Sequence, residues 1–166
     1  ESEATRGEKD ARGYVLGYGS ACDAYHLTAP HPDGAGLKQA MNEAFATSGL
    51  KAEQITFVNA HGTGTPDNDK VESGVLAEML PGVPFLSTKG YTGHTLGAAG
   101  GIEAVFSVES LRRGNLPANI GYADTDPEVS GKPVTENIEI DGEYALSESL
   151  AFGGNNAVLI LGKGDD

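Results

Sequence analysis

The segment that most constrains the fold is residues 96–108, which read LGAAGGIEAVFSV. Nearly every residue in it is small or apolar, and Glu103 is its only charge. A helix that is apolar on all sides is typical of an element covered on more than one face. A single domain of 166 residues rarely encloses such a helix, so we expect it to lie between two sheets, of which this chain supplies one. The alternative is that the small residues only allow close packing against a single sheet.

Around this segment the chain alternates strand and helix patterns. The apolar runs are short, and glycine or proline ends each helical pattern, as at Gly49. The order βαβαβαββ predicts an α/β layered domain with a mixed five-stranded sheet. The predicted strands lie at residues 14–19, 55–60, 83–86, 144–152 and 156–162, and the predicted helices at 36–45, 69–80 and 96–112.

Two segments stand apart from this alternation. Residues 1–13 are polar and predict a lead-in or linker ahead of one domain over residues 14–166. Residues 124–141 are polar and contain Pro127, Gly131 and Pro133, which predicts a long surface loop.

Three motifs place polar side chains after short apolar runs. Residues 61–66 read HGTGTP, residues 87–89 read STK, and residues 93–101 read GHTLGAAGG. Glycine-rich loops after strands let polar side chains converge on a ligand. A lone histidine in such a place is more often a structural hydrogen-bonder, but two histidines and a lysine together favour a catalytic site.

With the FGGN of residues 152–155, these motifs resemble the carboxyl-terminal half of the β-ketoacyl-acyl carrier protein synthases, which condense acyl units in fatty-acid and polyketide synthesis. The resemblance runs from about residue 14 to residue 163. It implies a thiolase-like fold, in which two similar halves form a five-layered αβαβα body. Initiating members use a histidine and an asparagine, and thiolases carry a second cysteine near the terminal glycines. The two histidines of this chain therefore resemble the elongating, decarboxylating members.

The resemblance also implies catalytic roles. His61 and His94 match the two active-site histidines, and Lys89 matches the third active-site group. We expect His94 to stay neutral at the start of a helix, where the positive dipole end disfavours imidazolium, and to donate from Nε2. Phe152 matches a gatekeeper phenylalanine whose backbone amide is an oxyanion donor.

Further residues match substrate-binding and supporting positions of the family. Thr63 and Thr65 correspond to threonines that hydrogen-bond the phosphopantetheine arm, and Glu103 to a carboxylate that pairs with the lysine. Asp69 and Glu72 are expected to cap and brace the helix that follows them. A second loop, which packs against the glycine-rich gate at Gly153, is matched by Asp23, His26 and Thr28.

Two features depart from the family pattern. The family nucleophile is a cysteine at the start of a helix in the amino-terminal half, whereas Cys22 follows a strand pattern beside Asp23. We therefore interpret Cys22 as a buried structural thiol. Residues 150–154 read LAFGG where the family usually has FGFGG, so Ala151 is expected to restrict the gate.

Composition limits the partners. With 24 acidic and 11 basic residues the formal net charge is −13, which argues against nucleic acid and anionic membranes. It also makes this half a poor main docking surface for an acidic acyl carrier protein. The single cysteine and the lack of a long apolar run predict a cytoplasmic protein, and the start at Glu1 predicts a fragment or a processed chain.

The resemblance implies a decarboxylative Claisen condensation, with an amino-terminal synthase half, an acyl carrier protein and a second copy of the complete enzyme as partners. No metal or tightly bound cofactor is expected, since the 4'-phosphopantetheine arm enters as part of the substrate. Two alternatives remain: a non-catalytic partner subunit of the chain-length-factor type, and a module that only binds pantetheine thioesters. The presence of His61, Lys89 and His94 favours the enzyme.

Overall fold

The computed structural model describes residues 11–164. At its centre is a mixed five-stranded sheet with the order β1-β7-β6-β2-β3. β7 pairs antiparallel with both β1 and β6, whereas β2 runs parallel to both β6 and β3. The strands are β1 (Gly13–Cys22), β2 (Ile55–Asn59), β3 (Phe85–Leu86), β6 (Tyr144–Ala151) and β7 (Asn155–Lys163).

Helices cover both sides of this sheet. Alternate strand residues point to opposite sides, so that Val58 and Leu146 enter a larger apolar cluster with α1 and α2, while Phe57 and Ala145 enter a smaller one with α4. A two-stranded antiparallel sheet of β4 and β5 lies beside the smaller cluster. The helices are α1 (Ala35–Ser48), α2 (Pro66–Met79), α3 (Lys89–Thr92) and α4 (Ala99–Arg113), with β4 at Asn115–Leu116 and β5 at Ile138–Glu139.

The predicted order of elements and the mixed five-stranded sheet are confirmed. The helix predicted from residue 69 begins earlier, at Pro66, because proline is well suited to the first helical turn. The helix predicted from residue 96 starts with a 3₁₀ turn, Leu96–Ala98, before α4. The short helix α3 was not predicted.

Two other predictions need correction or lie out of reach. The surface loop predicted over residues 124–141 is wrong in part, because it contains β5, and Val134 and Ile138 pack against the smaller cluster. Apolar side chains spaced along a polar segment were sufficient to anchor it. Residues 1–10 of the predicted lead-in lie outside the described residues, and Gly13 already belongs to β1.

One side of α4 is buried and the other is open. Every fourth residue faces the sheet, at Ala99, Glu103, Ser107 and Leu111. On the opposite side Leu96, Val105 and Phe106 are 77%, 64% and 40% exposed. We call this apolar side of α4 and its 3₁₀ turn the open face.

The surroundings of Gly97 and Gly101 show whether the small residues of this helix allow close packing against the sheet. Among the described residues, no atom outside the helix backbone lies within 4 Å of where a Cβ would stand at Gly97 or Gly101. These two glycines therefore do not serve close packing against the sheet of this chain. Within residues 11–164, no helix is long and apolar enough to cross a membrane.

Candidate active site

The loop after β2 is held by a buried carboxylate of α2. Glu72 accepts the backbone N–H of His61 through Oε1 at 2.6 Å and that of Gly62 through Oε2 at 2.9 Å. The side-chain amide of Asn68 donates to the same Oε2 at 2.9 Å. Glu72 was expected to brace its own helix, and its bond to Asn68 does lie within α2, but its other two bonds hold the preceding loop. The sequence pattern gave no sign of these bonds to the loop.

Gly62 allows this loop to lie against the end of β3. Its φ is 43°, in the left-handed region, and a Cβ there would stand 2.5 Å from Cβ of Ser87. The Ser87 hydroxyl donates to the carbonyl of His61 at 3.3 Å. Only glycine fits this contact, so the position of His61 is fixed from two sides.

The imidazole of His61 is held in its neutral form. The side chain is only 6% exposed. Burial, followed by the positive charge of Lys89 and by His94, lowers the pKa of His61 to about 3. At neutral pH the ring therefore carries one N–H donor and one free lone pair. Its Nδ1 is buried and has no hydrogen-bond partner among the described residues.

His94 stands against His61 with its tautomer fixed by the backbone. The two ring centroids are 5.4 Å apart and the planes meet at 86°. The N–H of Leu96 donates to Nδ1 of His94 at 3.2 Å, helped by a left-handed φ of 53° at Leu96. With Nδ1 accepting, the proton of a neutral His94 ring lies on Nε2.

Lys89 and Glu103 form a buried ion pair beside the histidines. Lys89 is the first residue of α3, and its Nζ pairs with Oε1 of Glu103 on α4. Both side chains are buried. Lys89 is therefore neither on a loop, as its motif predicted, nor in water. Removal of either side chain would leave the other as an unpaired buried charge, so the loss of one partner alone should destabilise the protein.

Asn59 ties these elements together and was missed in the sequence. Its Oδ1 accepts the backbone N–H of Thr88 at 3.3 Å, and its Nδ2 donates to the carbonyl of Glu103 at 3.2 Å and to Ser107 Oγ at 3.3 Å. The side chain is fully buried. An asparagine that ends an apolar strand two residues before His61 was the available signal.

The two threonines after His61 interact with each other. Their hydroxyl oxygens, Thr63 Oγ1 and Thr65 Oγ1, are 2.9 Å apart. Thr65 precedes the first residue of α2 but makes no side-chain cap, so its hydroxyl stays available. Asp69 lies in the first turn of α2, where a negative charge stabilises the helix. Thr63, Asp69, Lys89 and His94 line the same cleft.

The glycine-rich gate is the turn between β6 and β7. Phe152 at this turn is 77% exposed, and Gly153 and Gly154 have left-handed φ values of 83° and 76°. Ala151 is the last residue of β6 and pairs with Asn155 in the ladder. Because Ala151 lies in a strand, its side chain causes no backbone strain there.

The second loop is attached to this gate. The N–H of Asp23 donates to the carbonyl of Gly154 at 2.8 Å, and its Oδ1 accepts Asn156 Nδ2 at 3.0 Å. Gly153 donates its N–H to the carbonyl of Leu27 at 2.7 Å. The Nδ1 of His26 accepts the N–H of Thr28 at 3.2 Å and so shapes the loop itself. Asp23 and Leu27 thus join the second loop to the gate, whereas the hydrogen bonds of His26 and Thr28 lie within the second loop.

Cys22 does not have the predicted environment. Its side chain is exposed and its thiol donates to the carbonyl of Gly153 at 3.4 Å. The interpretation as a buried thiol is wrong because Cys22 is the last residue of β1, an edge strand that nothing in residues 11–164 covers from outside. Those residues also contain no group of three potential metal ligands.

Known proteins resemble this chain in sequence and fold. The chain is 41% identical over 168 residues to the 3-oxoacyl-[acyl-carrier-protein] synthase 2 of Synechocystis sp., covering 98% of this chain and 40% of that protein. A solved ketosynthase in complex with its chain length factor from Xenorhabdus doucetiae has a TM-score of 0.87 and 39% identity, over 93% of this chain and 40% of that one. The structure of a type II PKS acyl-carrier protein in complex with its ketosynthase bound to the hexaketide has a TM-score of 0.85 and 28% identity, over 93% and 39%.

These comparisons confirm the thiolase-like α/β class expected from the sequence. The chain spans about two fifths of the length of the proteins it resembles. Residues 12–123 match the beta-ketoacyl synthase, C-terminal domain family. With most of its length inside that match, the chain belongs to this family.

Proposed function

We propose that the chain is part of a 3-oxoacyl-[acyl-carrier-protein] synthase that performs decarboxylative Claisen condensation. A malonyl group on the carrier would react with an acyl chain held on a cysteine of an amino-terminal half. The observation that carries this proposal is the neutral His61 ring set perpendicular to His94, 5.4 Å away, beside a buried lysine.

Two neutral imidazoles suit the first chemical step. Each offers an N–H donor to the thioester carbonyl oxygen of the malonyl group. When the bond to the carboxylate carbon breaks, carbon dioxide leaves and its bonding electrons pass into the thioester, which becomes an enolate. The two donors stabilise the negative oxygen of that enolate. The α-carbon then attacks the acyl thioester of the cysteine, and the thiolate leaves.

Lys89 and Glu103 have a supporting part in this scheme. The positive charge of Lys89 contributes to the lowered pKa of His61, so that His61 stays a neutral donor. Glu103 balances that charge inside the protein. The ion pair is therefore proposed to set the protonation state of the histidine rather than to react.

The exposed threonines and the gate would receive the substrate. Thr63 lines the same cleft as His94 and Lys89, and the Thr65 hydroxyl lies 2.9 Å from that of Thr63. We assign to them the 4'-phosphopantetheine arm of the carrier. The backbone amide of Phe152 at the exposed turn is assigned as an oxyanion donor for the acyl thioester, with Thr28 and Gly153 beside it.

Three partners follow from this function. An amino-terminal synthase half would carry the nucleophile and cover the open face of α4, whose large apolar side chains are costly to expose. An acyl carrier protein would deliver the malonyl group, and the complete enzyme would form a homodimer. The net charge of −13 assigns the main carrier docking surface to another part of the enzyme.

A non-catalytic role is the second candidate. One similar structure is a ketosynthase with its chain length factor, and Cys22 lies at a strand end, without the helix terminus that favours a thiolate. A subunit of the chain-length-factor type, or a module that binds pantetheine thioesters, would not need the neutral histidine pair. The assembled histidine, lysine and glutamate set therefore favours the enzyme.

Intact mass and turnover together test the proposal. The chain alone, incubated with an acyl-carrier thioester, should show no stoichiometric acyl adduct, whereas the complete enzyme should acylate on its other half and release carbon dioxide from malonyl-carrier. A full adduct on Cys22 would overturn the assignment of the nucleophile. A complete protein that binds the carrier but never decarboxylates would instead establish the non-catalytic role.

A further inference from the structure

A glutamate in the middle of β6 has no part in the chemistry above. Glu148 is 0% exposed, and no N–H or hydroxyl group of residues 11–164 donates to either of its carboxyl oxygens. An ionised carboxylate buried without partners is very costly. Glu148 is therefore expected to be uncharged or to interact with another polar side chain.

The side chain that interacts with Glu148 is Glu72 of α2. Alternate residues of a strand share one side of the sheet, so Glu148 is on the side of Leu146 and Leu150, which belong to the larger cluster. Leu76 of α2 is in that cluster too, and Glu72 lies one turn before it on the same side of the helix. Glu148 and Glu72 thus meet in the layer between β6 and α2.

Glu72 has room for one more donor. A carboxylate offers about four lone-pair sites, two on each oxygen. Oε2 of Glu72 accepts from Gly62 and Asn68, whereas Oε1 accepts only from His61. One site therefore remains on Oε1. It can be filled by an O–H donor but not by a second ionised carboxylate.

The proton of this pair belongs on Glu148. Three N–H groups donate to the Glu72 carboxyl, whereas none donates to Glu148, so Glu148 is the member of the pair that can act as the O–H donor. Burial first, and then the negative charge and hydrogen bonding of Glu72, raise the pKa of Glu148 well above its ordinary value. Lys89 of α3 also faces this carboxyl and acts in the opposite direction, but burial outweighs it.

We propose that Glu148 is a positioning residue, a neutral carboxylic acid that donates its O–H to Oε1 of Glu72. This bond completes the set of four donors that fixes the Glu72 carboxylate. Because that carboxylate holds the backbone of His61 and Gly62, Glu148 acts on the candidate active site through two steps, without touching substrate.

Infrared spectroscopy of the chain itself tests the proton directly, and it needs no condensation activity. A neutral carboxylic acid has a carbonyl stretch separate from that of carboxylates. This band should persist in the wild-type chain between about pH 6 and about pH 8, where ordinary glutamates are ionised. Glu148→Gln should remove it, while Glu136→Gln, at an exposed position, should leave it. Absence of the band, or its persistence in Glu148→Gln, would overturn the proposal.

A pH series of unfolding gives a second, independent readout. Above pH 4.5 the unfolded chain releases the Glu148 proton while the folded chain keeps it, so this residue lowers stability progressively as pH rises. Glutamine keeps a donor and has no proton to lose. The urea midpoint of Glu148→Gln should therefore rise relative to wild type from pH 5 to pH 8, and parallel curves would contradict the proposal.

Discussion

At the residue scale, the candidate site depends on two imidazoles that are held in place by different means. His61 is buried near a positive charge, whereas His94 is exposed and has its tautomer set by the N–H of Leu96. The backbone of His61 is fixed by Glu72 and by the close contact of Gly62 with Ser87. A small displacement of either ring would move its N–H donor away from the single oxygen that both rings are proposed to bind.

Because both histidines are proposed to serve one enolate oxygen, their loss should not be additive. His61→Ala and His94→Ala in the complete enzyme should each reduce malonyl decarboxylation about 100-fold or more. The double variant should lose little beyond that. Release of carbon dioxide from malonyl-carrier is the measurement, and an active His94→Ala enzyme would rule out a shared oxyanion site.

The lowered pKa of His61 should also appear in the stability of the chain. Below pH 6.5 the unfolded chain protonates this histidine, whereas the folded chain does so only near pH 3. The contribution is complete above pH 6.5 and is lost as pH falls from 6.5 towards about 3, by at most about 1.4 kcal/mol per pH unit because a single proton is involved. The free energy of unfolding, measured in urea, should change less between pH 7 and pH 5 for His61→Asn than for wild type. Equal changes would mean that His61 titrates normally when folded.

At the element scale, α4 joins the site to the sheet. Its buried side carries Glu103 to Lys89 and brings Ser107 to Asn59 at the end of β2. The same helix presents the open face on its other side. One element thus links the ion-pair partner of Lys89 to the surface proposed for the missing half.

The buried ion pair gives a test at this scale. Lys89→Met alone or Glu103→Leu alone should destabilise the chain by about 3–5 kcal/mol, because each leaves an uncompensated buried charge. The double variant should recover most of that loss. Chemical unfolding measures the free energies, and a double variant as unstable as the sum of the singles would show that the pair is not coupled.

Much of this arrangement could be predicted from periodicity and motifs. Alternating strand and helix patterns were sufficient for the five-stranded sheet, and a helix apolar on all sides indicated the open face of α4. The resemblance matched His61, Lys89, His94 and Glu103, which the structure places around one cleft or in contact. In each case the signal was local in the chain.

The remaining positions depend on contacts between distant segments. Asn59, Glu72 and Glu148 act through partners on other elements, so their identity in the sequence says little about which donor they meet. The prediction that Cys22 is buried failed because Cys22 ends an edge strand, and within residues 11–164 no further strand pairs with the outer edge of that strand. The anchoring of residues 124–141 was missed because two apolar side chains in a polar segment make no periodic pattern.

At the scale of the whole molecule, the open face is the main unpartnered apolar surface of α4. Val105 and Phe106 lie on the open face. Val15 and Tyr18 of β1, which pair with Leu161 and Leu159 of β7, are further exposed apolar side chains. Large exposed apolar patches favour association.

The chain alone should therefore associate or bind a hydrophobic dye. Val105→Ser with Phe106→Ser should reduce dye fluorescence severalfold, since it removes the two exposed large apolar side chains of α4. Leu27→Ser, at a still more exposed position in the second loop, is the control and should change it little. Light scattering of the wild-type chain should show a dimer or larger species, and a monomer without dye binding would mean that the open face needs no partner.

Reconstitution is the most direct test of the claim that this chain supplies the decarboxylating half of a condensing enzyme. The chain is mixed with an amino-terminal half that carries the nucleophilic cysteine, and 3-oxoacyl-carrier is measured from acyl and malonyl donors. We expect product from the wild-type mixture, at least tenfold less from a mixture containing His61→Ala, and none from either half alone. Stable association of the two halves without any product, or equal product from the His61→Ala mixture, would contradict it.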